Sequence, residues 1–407
     1  MDQLEFKSVA ASVNPSDFKD PALTVKQNEQ GELSISLEFS SCSAPTPVSQ
    51  PYDVTAAGPS AHLTFHQGRV SRISANKAEI AAPEVHVVCR SLPAASPVSA
   101  TFLLTDLSNS DGFPRAQCAF ALGSFSCTLT PRTRSPLWAT LEVTGATSDR
   151  IESLETEIER VIWLLAFANG ASPTLPIIPR IEVRDGSGQL IEATLRHLPA
   201  TPWKCRNAFL SQLKRIAGCG VQPPRTTAWP VVPIRIPSEV KSFVEWCHPR
   251  LVQSEGAYPL RRILHWLILA TTPQPLQLRA LVGAELLEMF RFSFAKNVFK
   301  APQSGDRFRW PPGYPAAGSY MEFGQILRGL VWNIGNSHWR DEFVKFRNSI
   351  VHEGEILGSS FAEQISNTSD TIHFCHTIVL ALLEWDKCGG SYYPYNVRPS
   401  TPKQFQR

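Results

Sequence analysis

Residues 341–352 have the sequence Asp-Glu-Phe-Val-Lys-Phe-Arg-Asn-Ser-Ile-Val-His. On a helix at about 100° per residue, the apolar side chains of this segment gather into one arc. Arg347 projects from within that arc. A guanidinium placed there loses hydration, which is unfavourable unless a polar partner or a phosphate binds it. The segment therefore predicts an amphipathic helix with one arginine that needs a polar or anionic partner.

Three polar residues of this segment have the properties that metal-free RNA cleavage requires. The 2′-hydroxyl of RNA can attack the adjacent phosphate if one group moves a proton near neutral pH and a cation stabilises the charge on phosphorus. His352 and Arg347 are such groups, and Asn348 shares a neighbouring face with His352. Arg347 and His352 diverge by about 140° on an ideal helix. A frayed helix end, or the same motif from a second subunit, would bring an arginine and a histidine together.

Helical periodicity continues on both sides of this segment. The predicted helices span about 238–248, 259–271, 277–299, 320–332, 338–352 and 360–386. We therefore expect an all-α bundle over 238–395, followed by a flexible tail at 396–407.

The region 148–237 is predicted to join this bundle to the first half of the chain. Apolar residues between 149 and 169 fall on one helical face, Asp149 and Glu152 resemble a capping box, and Gly170 follows the last turn. Two apolar runs then flank Asp185-Gly-Ser-Gly188, which is typical of a hairpin. Residues 200–237 are interrupted by prolines and predict a connector.

Residues 1–147 predict an antiparallel β-rich domain. Apolar and polar residues alternate, as in Leu33-Ser-Ile35-Ser-Leu37, between glycine and proline turn signals. Most of the 33 prolines precede residue 240. The expected fold class is therefore multidomain α+β, with the β-rich domain first and the helical bundle second.

The composition excludes several classes of protein. The formal charge is +3, from 39 basic and 36 acidic residues, so no broad electrostatic surface for nucleic acid is expected. Nine cysteines without a C-x-x-C pair favour reduced thiols. The N-terminus lacks signal-peptide character, and no apolar run is long enough to span a membrane. We expect a cytoplasmic protein without a membrane partner.

Other clusters carry weaker expectations. Arg307, Arg309 and Trp310 lie in a loop that combines bases and aromatics, which can bind unpaired RNA, although packing of the aromatic rings onto the bundle is the favoured interpretation. His373, Cys375 and His376 are closely spaced, but the apolar residues between them favour ordinary packing over a metal site. Cys247-His248 lacks further recognisable ligands. No metal site is expected.

The pattern Arg347-Asn348-x-x-x-His352 resembles the motif of HEPN ribonucleases. The resemblance extends weakly over about 240–395: Ala284-Glu285-Leu-Leu-Glu288 and Gly389-Gly390-Ser-Tyr-Tyr393 are similar to the Apea-like HEPN subgroup. The order of a β-rich domain, a helix, a hairpin and a helical bundle is also similar to proteins of that group.

This resemblance implies a homodimer with one composite cleft that cleaves RNA, without a cofactor, in antiviral abortive infection or as a toxin. It implies that His352 is the general acid or base, that Arg347 binds the scissile phosphate, and that Asn348 orients either group. Glu285 would be a polar companion from another helix. A protein trigger or an antitoxin would be a further partner.

A second hypothesis stays open. In it, Arg347 forms an internal ion pair and His352 caps the helix end, where the dipole favours it. The chain would then be a non-catalytic HEPN module that binds RNA, a nucleotide or a protein and uses the same helix for dimerisation.

Overall fold

Alternating residues in the first half of the chain form strands with one buried face. In the segment around Leu33, the side chains of Ile35 and Leu37 are buried whereas Ser34 is exposed. The structure is a computed structural model. It describes residues 4–8, 10–28, 33–43, 51–58, 61–93, 95–105, 116–131, 138–169, 177–196, 231–232, 234, 236–271, 275–336, 338–389, 391–392 and 403–404.

The strands of the described residues are numbered in chain order. They are β1 (Leu4–Lys7), β2 (Ala10–Asn14), β3 (Phe18–Lys19), β4 (Ala22–Gln27), β5 (Leu33–Glu38), β6 (Ser41–Cys42), β7 (Pro51–Ala57), β8 (His62–Ser74), β9 (Lys77–Ala81), β10 (Glu84–Val88), β11 (Pro97–Thr105), β12 (Cys118–Leu122), β13 (Phe125–Pro131), β14 (Trp138–Thr147), β15 (Ile177–Asp185), β16 (Leu190–Arg196), β17 (Gln303–Ser304), β18 (Arg307–Phe308), β19 (Ser391–Tyr392) and β20 (Lys403–Gln404).

Fourteen of these strands form one antiparallel sheet. Its order is β1-β4-β5-β9-β8-β10-β16-β15-β11-β14-β13-β12, and β7 pairs with both β2 and β8 beside this path. The predicted hairpin is confirmed as β15 and β16, which pair from Arg180 opposite Leu195 onwards. This hairpin lies in the middle of the sheet, between β10 and β11, and so joins its two halves.

Seven α-helices lie in the described part of the chain. They are α1 (Ile151–Asn169), α2 (Pro237–Ser254), α3 (Leu260–Thr271), α4 (Leu276–Ser293), α5 (Phe323–Asn333), α6 (Glu342–Asn348) and α7 (Phe361–Leu382). Two π-helical turns continue α4 and α6, over Phe294–Val298 and Ser349–Glu353. The coarse prediction of β structure followed by helices is confirmed, and the fold is mixed α+β.

The predicted helices match the observed ones except near their ends. The helix predicted to end near 248 continues through Pro249 to Ser254. Cys247 and Leu251, on either side of the proline, are fully buried, and this burial outweighs the loss of one backbone hydrogen bond. At the start of α1, a 3-10 turn over Ser148–Arg150 replaces the expected capping box, and no side-chain cap is formed there.

Two apolar cores lie in the described residues. One lies among β2–β10 and includes Ala193 and Leu195 of β16. The other joins β11–β16, α1 and the helical part of the chain. On the polar rim, the backbone N–H of Ala121 on β12 donates to Glu245 of α2 at 2.8 Å. The sheet and the helices therefore share one packed interior, while the predicted domain boundaries themselves stay a prediction.

Some predicted regions lie largely outside the described residues. The proline-rich connector is described only at 231–232, 234 and 236–237. Of the predicted tail at 396–407, the structure describes only Lys403–Gln404, which pairs with Ser391–Tyr392, and the flexibility of the tail stays a prediction.

Helix α4 is central to the arrangement of the helices. It packs against α3, α5, α6 and α7 and against the π turn that follows α6. Ala284, Leu286, Leu287 and Phe290 bury its inner face. Helix α4 therefore borders the segment at 341–352.

Candidate active site

The motif segment begins on a short helix and ends in a wider turn. Phe343 and Phe346 are buried and anchor α6 in the bundle, and the Phe343 ring stacks on Phe374 with centroids 4.1 Å apart. After Asn348 the backbone widens into the π turn Ser349–Glu353. A π turn closes i→i+5 hydrogen bonds and is frequent at functional sites.

The end of this turn is determined by a glycine. Gly354 has φ +72°, and its N–H donates to the Ile350 carbonyl oxygen at 3.2 Å. The buried Ser349 hydroxyl donates to the Glu355 carbonyl oxygen at 2.9 Å. Because residues other than glycine are strained at this φ, position 354 determines where the turn stops.

Arg347 and His352 are in contact within one chain. Nη1 of Arg347 lies 3.0 Å from Nε2 of His352. The wider π turn before His352 reduces the angle by which a regular α-helix would separate the two side chains, so neither a frayed helix end nor a second subunit is needed to join them. A guanidinium has only donors, so Nε2 accepts and the imidazole carries its proton on Nδ1. His352 is exposed, whereas the Arg347 side chain is only 16% exposed.

An amide and a carboxylate also hold the two terminal nitrogens of Arg347. Nη1 also donates to Oδ1 of Asn348 at 3.0 Å, and Nη2 forms an ion pair with Oε1 of Glu288 on α4. The second carboxylate oxygen of Glu288 accepts from Nε of Arg291 at 2.7 Å. Two guanidiniums thus share one carboxylate, which leaves one positive charge in excess beside His352.

An aromatic ring covers the same two arginines. The Arg347 guanidinium lies 5.0 Å from the centroid of the Phe323 ring, and that of Arg291 lies 5.9 Å from it. Cations are attracted to such ring faces, and exclusion of water strengthens the nearby charge interactions. Nε of Arg347 is buried and has no hydrogen-bond partner among the described residues.

Glu288 and Arg291 were missed by the sequence interpretation, which singled out Glu285. Glu285 lies one turn earlier on α4, is partly exposed, and forms no ion pair or hydrogen bond within the described part of the chain. Opposite charges three residues apart, as at 288 and 291, are a recognisable helical pair. Periodicity alone could not show which turn of α4 faces Arg347.

The predicted RNA-binding residues of the loop after α4 contact residues other than those of the motif. Arg309 donates to the Tyr320 hydroxyl at 3.0 Å, and the guanidiniums of Arg307 and Arg309 lie 5.4 and 4.7 Å from the Tyr320 ring centroid. Trp310 instead packs against Phe299, with centroids 6.0 Å apart. Both arginines therefore gather around Tyr320, with Arg307 exposed and Arg309 half-buried, whereas Trp310 packs back onto the bundle.

Of the histidines and the cysteine on α7, His376 and Cys375 are buried, whereas His373 is half-buried and its ring lies 6.3 Å from that of His338. His376 is 2% exposed and lies 5.6 Å from the Phe167 ring, and burial lowers the pKa of His376 to about 3. Burial also raises the pKa of the Cys375 thiol. In the described residues, no group of three or more His, Cys, Asp or Glu side chains is arranged to hold a metal ion. Next to Cys247, Nε2 of His248 lies 2.8 Å from Oε2 of Glu157.

A cleft of about 500 Å³ lies beside the motif, between α4 with its π turn and the start of α3. Glu285, Glu288 and Arg291 line it from α4. Since Glu288 is also the ion-pair partner of Arg347, one carboxylate separates this cleft from the motif.

Comparisons of the chain with protein-family models, with curated proteins and with solved structures find no match. Assignment to a family therefore depends on the residues and the geometry described above. Among the described residues, none of the helices has the length and apolar character needed to cross a bilayer.

Proposed function

We propose that this chain is an HEPN-type endoribonuclease that cleaves RNA without a metal ion. The observation that supports the proposal best is the 3.0 Å contact between Nη1 of Arg347 and Nε2 of His352. It brings a permanent cation and an unprotonated imidazole nitrogen to one place at the surface. A 2′-hydroxyl needs both groups when it attacks the adjacent phosphate: one takes its proton and the other stabilises the charge on phosphorus.

In the proposed reaction, the 2′-oxygen forms a bond to phosphorus while the bond from phosphorus to the 5′-oxygen breaks. Nε2 of His352 takes the proton of the 2′-hydroxyl. The 5′-oxygen takes a proton from water or from His352 of a second copy. The products carry a 2′,3′-cyclic phosphate and a 5′-hydroxyl.

Arg347 exchanges partners during this reaction. A phosphate oxygen is a stronger acceptor than a neutral imidazole, so it draws Nη1 away from His352 and frees Nε2 for the 2′-hydroxyl. Asn348 and Glu288 keep the guanidinium plane in place during the exchange. The ion pair with Glu288 thus orients Arg347 and leaves Nη1 for the phosphate.

Exposed apolar side chains on the π turn of the motif and on α4 and α7, which pack against α6, support a homodimer. Leu281 on α4 is 54% exposed, Val351 in the π turn is 48% exposed, and Phe361 at the start of α7 is 68% exposed. Exposed apolar groups of this kind favour burial by a partner. A second copy placed over them would bring two His352 side chains to one composite cleft, one as base and one as acid.

The proposed biological role is antiviral abortive infection, or toxicity that a separate antitoxin restrains, in the cytoplasm. The β-sheet shares a packed core with the helices, so a trigger bound to the sheet would reach the motif through that core. Expression of the wild-type chain in bacteria should then stop growth, whereas the His352→Ala variant should not. Equal growth with both proteins would contradict a toxic role.

One observation favours a second function, that of a non-catalytic HEPN module. Arg347 has an internal ion-pair partner, Glu288, as a purely structural arginine would have. The chain would then bind RNA, a nucleotide or a protein through the same surface. In that case the replacement of His352 changes no enzymatic activity.

Cleavage separates the two functions. Purified wild-type, His352→Ala and His62→Ala proteins are incubated with total RNA and with tRNA in EDTA; His62 is an exposed histidine on β8 and serves as the matched control. Cleavage by the wild type and the His62 variant, but not by the His352 variant, supports the nuclease. Equal behaviour of all three proteins would contradict it.

A further inference from the structure

The cleft beside the motif is bounded by two elements that a hydrogen bond connects. Nδ2 of Asn297, in the π turn after α4, donates to the Ala257 carbonyl oxygen at 2.7 Å, just before α3. The volume of about 500 Å³ falls in the range of small-molecule sites. The cleft is therefore a formed feature between two connected walls.

One wall holds a polar group with an unmet hydrogen bond. Tyr258 lines the cleft and is 4% exposed, yet its hydroxyl has no hydrogen-bond partner among the described residues. Burial raises the pKa of this hydroxyl, so it stays protonated and can donate. A buried hydroxyl without a partner is unfavourable by about 1–3 kcal/mol, and a ligand acceptor would remove that cost.

The charges of the cleft are separated along α4 and its π turn. Glu285 lies at one end and Lys296 at the other, eleven residues further, or about 16 Å at the rise of a helix. Arg262 of α3 also lines the cleft. No ion pair is found for Arg262 or Lys296 within the described part of the chain, so both cations are available to an anion.

The apolar surface of the cleft lies between these ends. Phe292 is 37% exposed there, and Glu288, which holds Arg347, lies one turn before it. Along α4 and its π turn, a ligand in the cleft thus meets Lys296, the Phe292 ring and then the carboxylates, while Arg262 lines the facing wall from α3. A nucleotide has the matching groups: a phosphate, a base, and ribose hydroxyls that donate to carboxylates.

We propose that this cleft binds one nucleotide of single-stranded RNA next to the phosphate held by Arg347. The inference rests on the proposed function. Lys296 and Arg262 bind the phosphate of that nucleotide, Phe292 contacts its base, and Glu285 accepts from its ribose 2′-hydroxyl. The Tyr258 hydroxyl donates to the base or to the phosphate.

Binding is measured by fluorescence anisotropy of a labelled single-stranded oligoribonucleotide, in EDTA and over a series of salt concentrations. All proteins carry His352→Ala, so cleavage does not interfere. The variants are Tyr258→Phe and Lys296→Ala, and Lys241→Ala is the matched charge control, exposed on α2 and outside the cleft. Unlabelled nucleoside monophosphate competes in a parallel series.

Tyr258→Phe should weaken binding by about 3- to 10-fold, as expected for one lost hydrogen bond, without lowering the melting temperature. Lys296→Ala should weaken binding similarly and make the dependence of log affinity on log salt shallower by about 0.7, the value for one phosphate contact with a single strand. Lys241→Ala should change neither quantity.

Affinity and salt dependence that stay unchanged in both cleft variants would overturn the subsite. So would a free nucleotide that binds these proteins as tightly as the oligonucleotide does, because that marks a separate nucleotide site. The nuclease is tested independently: if Tyr258→Phe, in the chain that retains His352, cuts RNA as the wild type does, only the subsite fails. If binding weakens in the variants but the wild type cuts nothing, the subsite stands and the nuclease fails.

Discussion

Arg347 and His352 lie five residues apart and are in contact because the backbone from Ser349 to Glu353 is a π turn. The distance between Nη1 and Nε2 is 3.0 Å. A regular α-helix would direct the two side chains about 140° apart. The local widening of one turn thus creates the pair of groups from which the proposed chemistry follows.

Arg347→Lys should reduce RNA cleavage by at least about 100-fold, the loss typical of removing one oriented charge donor. An ammonium group keeps the charge, but it lacks the planar fork that meets Asn348, His352 and Glu288 together. Initial cleavage rates and circular dichroism of the variant check this expectation. A variant that is folded and fully active would show that the geometry of the guanidinium is not used.

Glu288→Gln should lower the free energy of unfolding by about 1–3 kcal/mol, because two partly buried guanidiniums lose their shared carboxylate. Cleavage should fall as well, since Arg347 is no longer oriented. Glu285→Gln is the matched control on the same helix and should change the free energy of unfolding by less than about 0.5 kcal/mol. Urea unfolding of both variants is the measurement, and a larger loss in Glu285→Gln would contradict the assignment of roles.

Gly354→Ala should destabilise the protein by about 1 kcal/mol, because an alanine is strained at φ +72°. The strain acts on the end of the π turn and displaces His352. The cleavage rate should therefore fall even under conditions in which the variant stays folded. Gly186→Ala, in the β15–β16 turn, is the control, since its φ is not positive and a Cβ there has open space. If both variants cleave equally well, the end of the turn does not position His352.

The free energy of unfolding should decrease at acid pH because His376 is buried as a neutral imidazole. Its pKa is lowered to about 3 by burial, while the unfolded chain has the ordinary value near 6.5. Between these values the unfolded state binds a proton that the folded state excludes, so the free energy of unfolding decreases as the pH falls from about 6.5 towards 3. The slope reaches at most about 1.4 kcal/mol per pH unit.

Urea unfolding at several pH values, compared between wild type and His376→Gln, tests this dependence. The variant should be less sensitive to acid between pH 6.5 and 4. His62→Gln, at an exposed position on β8, controls for the loss of a histidine. An identical pH dependence in wild type and His376→Gln would show that the buried imidazole does not contribute.

Much of the fold could be predicted because local patterns and burial agree. Alternation identified strands such as β5, and the 3.6-residue period identified α1 and the helices after 237. The continuation of α2 through Pro249 could not be predicted, since a proline is a local stop signal and the burial of Cys247 and Leu251 is a tertiary effect. The place of the β15–β16 hairpin in the centre of the sheet likewise depends on pairing between distant segments.

The residues of the candidate site could be predicted from the sequence, but the way in which they come together could not. Arg347, Asn348 and His352 were identified from residue types and spacing. Their convergence required a π turn, which has no reliable sequence signature, so the ideal helix gave the wrong angle. The choice of Glu288 over Glu285 depends on the rotation of α4 against α6, a property of packing that one sequence does not contain.

The most direct measurement is the chemistry of the ends that the wild-type protein leaves on RNA in EDTA. A defined single-stranded oligoribonucleotide is incubated with the protein, and the fragments are identified by mass spectrometry and by ligation of their 5′ ends. We expect 2′,3′-cyclic phosphates and 5′-hydroxyls, and no cleavage at a position where the 2′-hydroxyl is replaced by hydrogen. Fragments with 5′-phosphates, or cleavage at the 2′-deoxy position, would contradict it.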